Sequence, residues 1–366
     1  MYKILVINPG STSTKLALFY DEKNTFVENI HHPARDLAAF ENIVDQLEYR
    51  YQIIQEILFA NNISIAKMDA FVARGGLLKA IPGGTYIVDP AMLADLRKGV
   101  QGQHASNLGG ILAQAFARES GKSAYIVDPV VVDELDAVAR LTGHPQFKRK
   151  SIFHALNHKA VARKAAAELK KDYTETNLII AHLGGGISVA AHKQGKVVDV
   201  NNALDGEGPY APERSGTLPA GDLVRWCFSG AGTQAETLKM ITGKGGIVAY
   251  AGTNDLRVLQ QQIDLQNDVQ AELFIKGMTY QVAKEISAMG AVFNGKVDAI
   301  VLTGGIANNT TITNQIIERV GYIAPVKIYP GEQEMEALAL GALRVLQGLE
   351  SPKLYEKEAA LHDNVI

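Results

Sequence analysis

A duplicated α/β fold is what this sequence predicts, and three observations predict it. A strand, a small-residue turn and a second strand occur as one unit twice, at residues 3–20 and 177–191. A second pair of segments recurs in the same order: Asp69-Ala-Phe-Val-Ala-Arg-Gly-Gly76 and Asp298-Ala-Ile-Val-Leu-Thr-Gly-Gly305. At 366 residues the chain also exceeds the usual size of one core, so two domains are expected. One such recurrence arises easily by chance; two in register argue for two copies of one α/β unit with facing phosphate-binding turns.

The elements follow in order. The apolar run Lys3 to Ile7 breaks into Asn8-Pro9-Gly10-Ser11-Thr12-Ser13-Thr14-Lys15 and resumes over residues 16–20. Residues 37–60 have helical spacing, with Phe40, Ile43, Val44, Leu47, Tyr51 and Ile54 on one face and Asp36 as cap. A buried strand over 68–73 leads to Arg74-Gly75-Gly76, and Pro82-Gly83-Gly84 marks a turn. Helix is expected over 107–117, strand over 124–128 ending at Pro129, and an alanine-rich helix over 152–169. The second strand-turn-strand unit then breaks at His182-Leu183-Gly184-Gly185-Gly186. The two turns lie 174 residues apart and the two Asp-Ala-x-Val segments 229, so the second half carries about 55 extra residues. They are expected between Asn201 and Tyr250, in polar, Gly/Pro-rich loops of the kind that carry function, with a helix from Leu223. A long helix over 269–293, a strand over 299–303 and a helix over 334–346 complete the pattern. The expected domains are 1–150 with 340–366 packed back, and 151–339.

Composition narrows the function. Hydrophobic residues at 47% and charged residues at 20% fit a soluble globular protein. A net charge of −3, with no Lys/Arg-rich run, points away from nucleic acid and membrane surfaces. The lone Cys227 excludes an internal disulfide and a multi-cysteine zinc site, and is expected as a small buried apolar residue. The first strand starts at once and no apolar run reaches membrane-spanning length, so a cytoplasmic protein is expected.

Neither turn is a common nucleotide loop. The first lacks the Gly-x-x-x-x-Gly-Lys-Ser/Thr spacing and leads into a strand, and Gly184-Gly185-Gly186 has no helix behind it. Both can still offer backbone N–H groups in a tight arc that suits phosphate oxygens. Ser11, Thr12, Ser13 and Thr14 add four hydroxyls there, and Lys15 a cation.

Asn8-x-Gly-Ser-x-Ser-x-Lys15, Asp128, Phe153-His154, His182-Leu-Gly-Gly-Gly186, Arg214-Ser-Gly216, Asp255-Leu-Arg257 and Thr303-Gly-Gly305 come in the order of the acetate kinase family. The chain resembles that family over roughly its whole length, in the branch that phosphorylates butyrate. Gly185 stands where the acetate branch has Asn, and Arg74 where it has His. The arginine that branch places three residues earlier is absent at Phe71. The resemblance implies two ribonuclease-H-like domains of the actin-like ATPase fold, closing over ATP and Mg²⁺ in an interdomain cleft. It implies reversible in-line transfer from ATP to butyrate, giving butyryl phosphate, in a homo-oligomer of at least two chains. Isobutyrate, propionate or acetate is the alternative acceptor; a regulatory ATPase of the actin and heat-shock type is the alternative class.

The same resemblance implies roles. Asn8, Ser11, Ser13, Lys15, His182, Gly184, Gly185, Gly186, Asp255, Arg257, Gly304 and Gly305 would hold nucleotide and phosphate. His154, Arg214, Asp128 and Arg74 would serve the transfer, and Asn8 with Glu334 the Mg²⁺. Lys15, Arg74 and Arg214 are cations suited to a phosphoryl in flight, and His154 is a donor. Each has a plainer alternative. Asp128 before Pro129 can shape a turn, and Asp255 and Arg257 can cap and pair locally. Glu334 can complement a helix dipole, His182 can be a buried hydrogen-bonded residue, and Arg214 or Lys15 can be solvated. His104, in Gly102-Gln103-His104-Ala105-Ser106, resembles a family site position or is a polar contact. His154 and His158 have zinc-like i,i+4 spacing but no adjacent Glu and no third ligand, and His158 is expected to be structural.

Overall fold

Antiparallel hairpins open both halves of the chain, and a parallel strand is added beside each. In the computed structural model, which describes residues 1–362, the strands in chain order are β1 (Lys3–Pro9), β2 (Ser13–Tyr20), β3 (Lys23–His31), β4 (Ala70–Arg74), β5 (Thr85–Ile87), β6 (Ser123–Val127), β7 (Asn177–Leu183), β8 (Ile187–Lys193), β9 (Lys196–Val200), β10 (Ala299–Gly304), β11 (Val326–Pro330) and β12 (Lys353–Leu354). One sheet runs β12-β5-β6-β4-β1-β2-β3 and the other β11-β10-β7-β8-β9. Strand for strand, β6-β4-β1-β2-β3 matches β11-β10-β7-β8-β9. Both copies join an antiparallel meander to parallel β1·β4 and β7·β10 pairs. The duplication read from the two recurring segments is therefore a duplication of topology.

The chain divides into two units. The first holds residues 1–133 and the described residues from Gln333; the second holds Glu134–Glu332. The boundaries thus fall at 133/134 and 332/333, not at 150/151 and 339/340. The segment after Asp133 is tied to the second unit. Glu134 takes the Lys159 ammonium and the Val197 N–H, and Arg149 reaches Asp199 at 2.8 Å. The end of the expected N-terminal domain, 363–366, lies outside the described residues.

In the first unit the central strands β1 and β4 carry apolar side chains on both faces, as strands covered on both sides require. Leu5, Ile7, Phe71 and Ala73 pack with Leu108, Leu112 and Phe116 of the helix Asn107–Ser120. Ile4, Val6 and Val72, out of phase by one residue, are equally buried. The helix Glu334–Leu346 covers that side, with Gly341 so close to β6 that a Cβ there would meet Val127 at 2.5 Å. In the second unit, Ile179, Val189 and Ile300 pack under Met278, Val282 and Ile286 of the helix Val269–Gly290.

Three local expectations change. The helix expected from Leu37 is broken: a short helix at Ala34–Leu37 stops, and a 3₁₀ turn at Ile43–Gln46 leads into Leu47–Ala60. Asn42 and Asp45 form a reciprocal capping box that restarts the chain there, so the cap is Asn42 and not Asp36. The helix expected from Ile152 begins at Ala155 and leaves His154 at its N-cap. Cys227 is exposed, because the helix that ends on it, Ala220–Cys227, has no buried residue. The extra segment of the second unit contains that helix and Gln234–Thr242. Among the described residues no helix is long and apolar enough to cross a membrane.

Candidate active site

In the first unit, the β1–β2 turn is built on a buried arginine. Arg50 is 0% exposed and makes no ion pair with an acid among the described residues. Its guanidinium donates to the carbonyls of Gly10 (2.9 Å), Ser11 (3.1 Å) and Ser13 (3.1 Å), to Thr14 Oγ1 (3.0 Å) and to Gln46 Oε1. Turning three loop carbonyls inward onto one cation leaves Ser11 and Thr12 exposed at the tip. It also changes the hydroxyl count: Thr14 is buried against Arg50 and His32, so three of the four hydroxyls remain for a ligand. Sequence periodicity missed Arg50, because a cation inside an apolar helix stripe reads as a solvated one. Lys15 is exposed, opposite Asn8 in the β1–β2 register, and makes no ion pair among the described residues.

Glu334 is the acid at the base of this turn. Asn8 Nδ2 donates to Glu334 Oε2 at 2.8 Å, and Arg74, at the end of β4, pairs with Oε1 at 3.0 Å. Glu334 opens its helix, where the dipole also favours an anion. Two donors use only part of the lone-pair capacity of a carboxylate. Mg²⁺ is commonly held through one or two carboxylates, with waters and phosphate oxygens completing its shell. Glu334 and the Asn8 amide fit that description. Among the described residues no cluster of three His, Cys, Asp or Glu side chains is arranged to hold a metal unaided.

Asp128 and His104 stand apart from that pairing. Asp128 is buried at φ +38°, and its Oδ1 accepts the Gly84 N–H at 2.7 Å, holding the turn that precedes β5. His104 Nδ1 is engaged by Ser106 Oγ at 2.8 Å. Desolvation first, and then the Arg74 charge, hold this imidazole below its ordinary pKa.

In the second unit the glycine turn gathers His154, His182, Arg214 and Gly304, and not Asp255 or Arg257. Gly186 lies between His154 and Arg214: a Cβ placed there would come within 4.0 Å of His154 Cε1 and 3.8 Å of Arg214 Cγ. His182, on β7, is 1% exposed and stacks on His154 with centroids 3.7 Å apart. Its Nδ1 meets Asn157 Oδ1 at 2.8 Å; Glu332 Oε1 lies 3.0 Å from Nε2, outside hydrogen-bonding geometry. Asn157 and Ser188, which touch these rings, gave no sequence signal beyond their polarity. The β10 turn closes against the same strand end. Gly304 has φ +87°, and a Cβ there would meet the Leu183 carbonyl oxygen at 2.4 Å, so only glycine lets the two turns touch.

Arg214 donates from Nη1 to the Thr242 carbonyl and lies 3.5 Å from Glu213 Oε2. Its buried Nε has no hydrogen-bond partner among the described residues. Glu213 is fixed to the glycine turn through its N–H, which donates to Gly185 O at 3.1 Å. Asp255 and Arg257 pair with each other: the guanidinium spans both carboxylate oxygens at 2.7–3.2 Å, and Asp255 caps the helix Leu256–Gln266. The Arg257 bonds hold the Asp255 carboxyl down at about 2.

Comparison with known proteins gives the family and the fold. Residues 138–331 match the model of the acetokinase family. The chain is 57% identical to butyrate kinase 2 of Clostridium acetobutylicum, over 97% of this chain and 99% of that one. Its fold is similar to the crystal structure of an acetate kinase from Porphyromonas gingivalis, with TM-score 0.77 at 20% identity over 94% of this chain and 100% of that one. A propionate kinase from Francisella tularensis gives TM-score 0.71 at 20% identity, over 93% of this chain and 99% of that one.

Proposed function

The chain belongs to the acetokinase family, and on that premise we propose that it is a kinase transferring the γ-phosphoryl group of ATP to butyrate, reversibly, to give butyryl phosphate and ADP. The observation that carries this reading is the 57% identity to a butyrate kinase across nearly the full length of both chains.

The chemistry asks little of a general base. A carboxylic acid titrates near ~4, so butyrate is already an anion at neutral pH. A butyrate oxygen forms the new bond to phosphorus, the bond from phosphorus to the β,γ-bridging oxygen breaks, and its electron pair leaves on ADP. No proton has to move. The work is to hold the partners in line and to offset charge on the three equatorial oxygens. The Gly10 and Gly184 N–H groups close their own turns; we assign the other backbone N–H groups of the Gly10–Ser13 and Gly184–Gly186 turns, with Lys15, to the nucleotide phosphates. His154 and Arg214 are assigned to the transferring group. The Arg214 guanidinium, whose buried Nε has no hydrogen-bond partner among the described residues, supports the latter. Arg74 is assigned to the acyl carboxylate or the transferring group. Glu334 and Asn8 are assigned to Mg²⁺, which when bound offsets phosphate charge. A homo-oligomer in a cytoplasmic setting belongs to the same reading. Asp255–Arg257 and Asp128 support it least, since their bonds are already satisfied locally.

The test is acyl phosphate trapped as hydroxamate, with ATP and Mg²⁺, across straight and branched acids of two to six carbons. Arg74 in place of the acetate-branch His leads us to expect butyrate or isobutyrate to exceed acetate in kcat/KM by ~10-fold or more, since one methylene in an apolar pocket is worth roughly that factor. Equal efficiency on acetate overturns the butyrate assignment. ADP release indifferent to added acid overturns the kinase reading in favour of a regulatory ATPase.

A further inference from the structure

Two arginines of the first unit are held in opposite ways. Arg50 is fully buried, and the β1–β2 turn and Gln46 occupy its guanidinium. Arg74 has one hydrogen-bond or ion-pair partner for its side chain among the described residues, Glu334, and that side chain is 37% exposed. The backbone beneath it is locked. Arg74 ends β4, which lies between β1 and β6. A Cβ on Gly109 would meet the Arg74 carbonyl oxygen at 2.3 Å, and one on Gly75 would meet Pro129 Cβ at 2.5 Å. The guanidinium therefore turns about a fixed Cα at the end of a long, solvated stem.

Glu334 is the fixed member of the pair. Its helix is seated through buried Ala337, Leu338 and Gly341, and buried Asn8 donates from Nδ2 to Oε2 at 2.8 Å. With Nδ2 so used, Asn8 Oδ1 accepts no hydrogen bond among the described residues. An open amide oxygen beside a carboxylate is a donor set that suits a hard cation. Arg74 Nη1, 3.0 Å from Oε1, draws on the same negative charge. The carboxylate has lone pairs left for a divalent cation, but a second cation beside it weakens its hold on the first. Glu334 cannot follow either one; the Arg74 guanidinium is free to leave.

We propose that Glu334 is a counter-ion shared by two cations. In the ligand-free chain it holds Arg74, and when a divalent cation takes its charge it releases Arg74 to the carboxylate of the acid substrate, which a guanidinium can grip with two parallel bonds. Divalent cation and acid then strengthen each other's binding, by the same factor in both directions. The proposal rests on the assignments of Glu334 to Mg²⁺ and of Arg74 to the acid made above.

Binding, not turnover, tests it. Mn²⁺ is titrated into the full chain with saturating ADP and followed by electron paramagnetic resonance. Butyrate affinity is measured by calorimetry with ADP, in the presence and absence of Mg²⁺. In the wild type Mg²⁺ is expected to tighten butyrate by ~5-fold or more, the lower end of ordinary coupling between sites. Arg74→Gln is expected to bind Mn²⁺ more tightly, because its competitor is gone, and to bind butyrate more weakly. Glu334→Gln is expected to bind Mn²⁺ more weakly and, with Arg74 released, to bind butyrate more tightly than the wild type does without metal. Combined with Arg74→Gln, that gain is expected to vanish, which separates a released guanidinium from the mere loss of a negative charge. Should Arg74→Gln not fold, metal-free butyrate binding in Glu334→Gln decides. The shared counter-ion is overturned by a butyrate affinity indifferent to Mg²⁺ in the wild type, by Mn²⁺ no tighter in folded Arg74→Gln, or by no metal-free gain in Glu334→Gln. Unchanged Mn²⁺ affinity in Glu334→Gln, or unchanged butyrate affinity in Arg74→Gln, overturns instead the assignment of that residue, so the two kinds of failure are told apart.

Discussion

The imidazole rings of His154 and His182 lie face to face, with centroids 3.7 Å apart and planes 9° from parallel. His182 is anchored to Asn157 and buried. It serves as the flat surface against which the more exposed His154 is held beside Gly186 and Arg214.

If His154 and Arg214 contact the phosphoryl group chiefly in its planar transition state, their loss must appear in kcat. His154→Ala and Arg214→Ala are each expected to lower kcat by ~10²-fold or more, the scale of one preorganised charge contact. KM for ATP and butyrate should change only a few-fold. Steady-state kinetics decide: an Arg214→Ala effect confined to KM makes that residue a ground-state anchor.

The first turn gives a parallel expectation. Asn8→Ala and Lys15→Ala should each cut turnover by at least ~10²-fold, with circular dichroism unchanged for Lys15→Ala because that side chain is exposed. Near-normal kinetics in folded Lys15→Ala would remove Lys15 from the mechanism.

Arg50 touches no proposed ligand, yet it organises the turn that does. Arg50→Lys keeps the charge but has three donors in place of five, leaving buried loop acceptors unpaired at ~1–3 kcal/mol each. The urea midpoint should fall and KM for ATP should rise together. A variant with wild-type stability and KM for ATP would show that the turn holds its shape without the guanidinium.

Acid sensitivity follows from three buried histidines. Burial first, and then the Arg50 charge, lower His32 from 6.5 to about 4, and His158 and His192 shift in the same direction. The unfolded chain binds these protons more readily, so stability is intact above pH ~6.5 and is lost as pH falls toward ~4. For His32 alone the loss is on the order of 3 kcal/mol at 1.36 kcal/mol per unit. Urea midpoints between pH 7 and 4.5 should fall less steeply for His32→Gln than for the wild type; parallel slopes would contradict a neutral buried His32.

The sequence by itself determined the duplication, the two turns, and which residues lie on them. Those features are local or periodic: a seven-residue strand breaking into a glycine-containing turn looks alike at β1 and β7. The helix Glu334–Leu346 was legible to the residue because Glu334 starts an uninterrupted apolar period. Partnerships were not legible. Glu334 meets Asn8 across 326 residues of chain, and Arg50 meets Gly10 across 40. Ser188 joins His154 to His158 only because a period-two strand face lies under a period-3.6 helix. The break at residues 38–42 was hidden for a related reason: apolar spacing continues through it, whereas the Asn42–Asp45 box restarts the chain. A sequence lists donors, acceptors and charges, but desolvation and distance decide which of them satisfy one another, and both are set only when the sheets and helices pack.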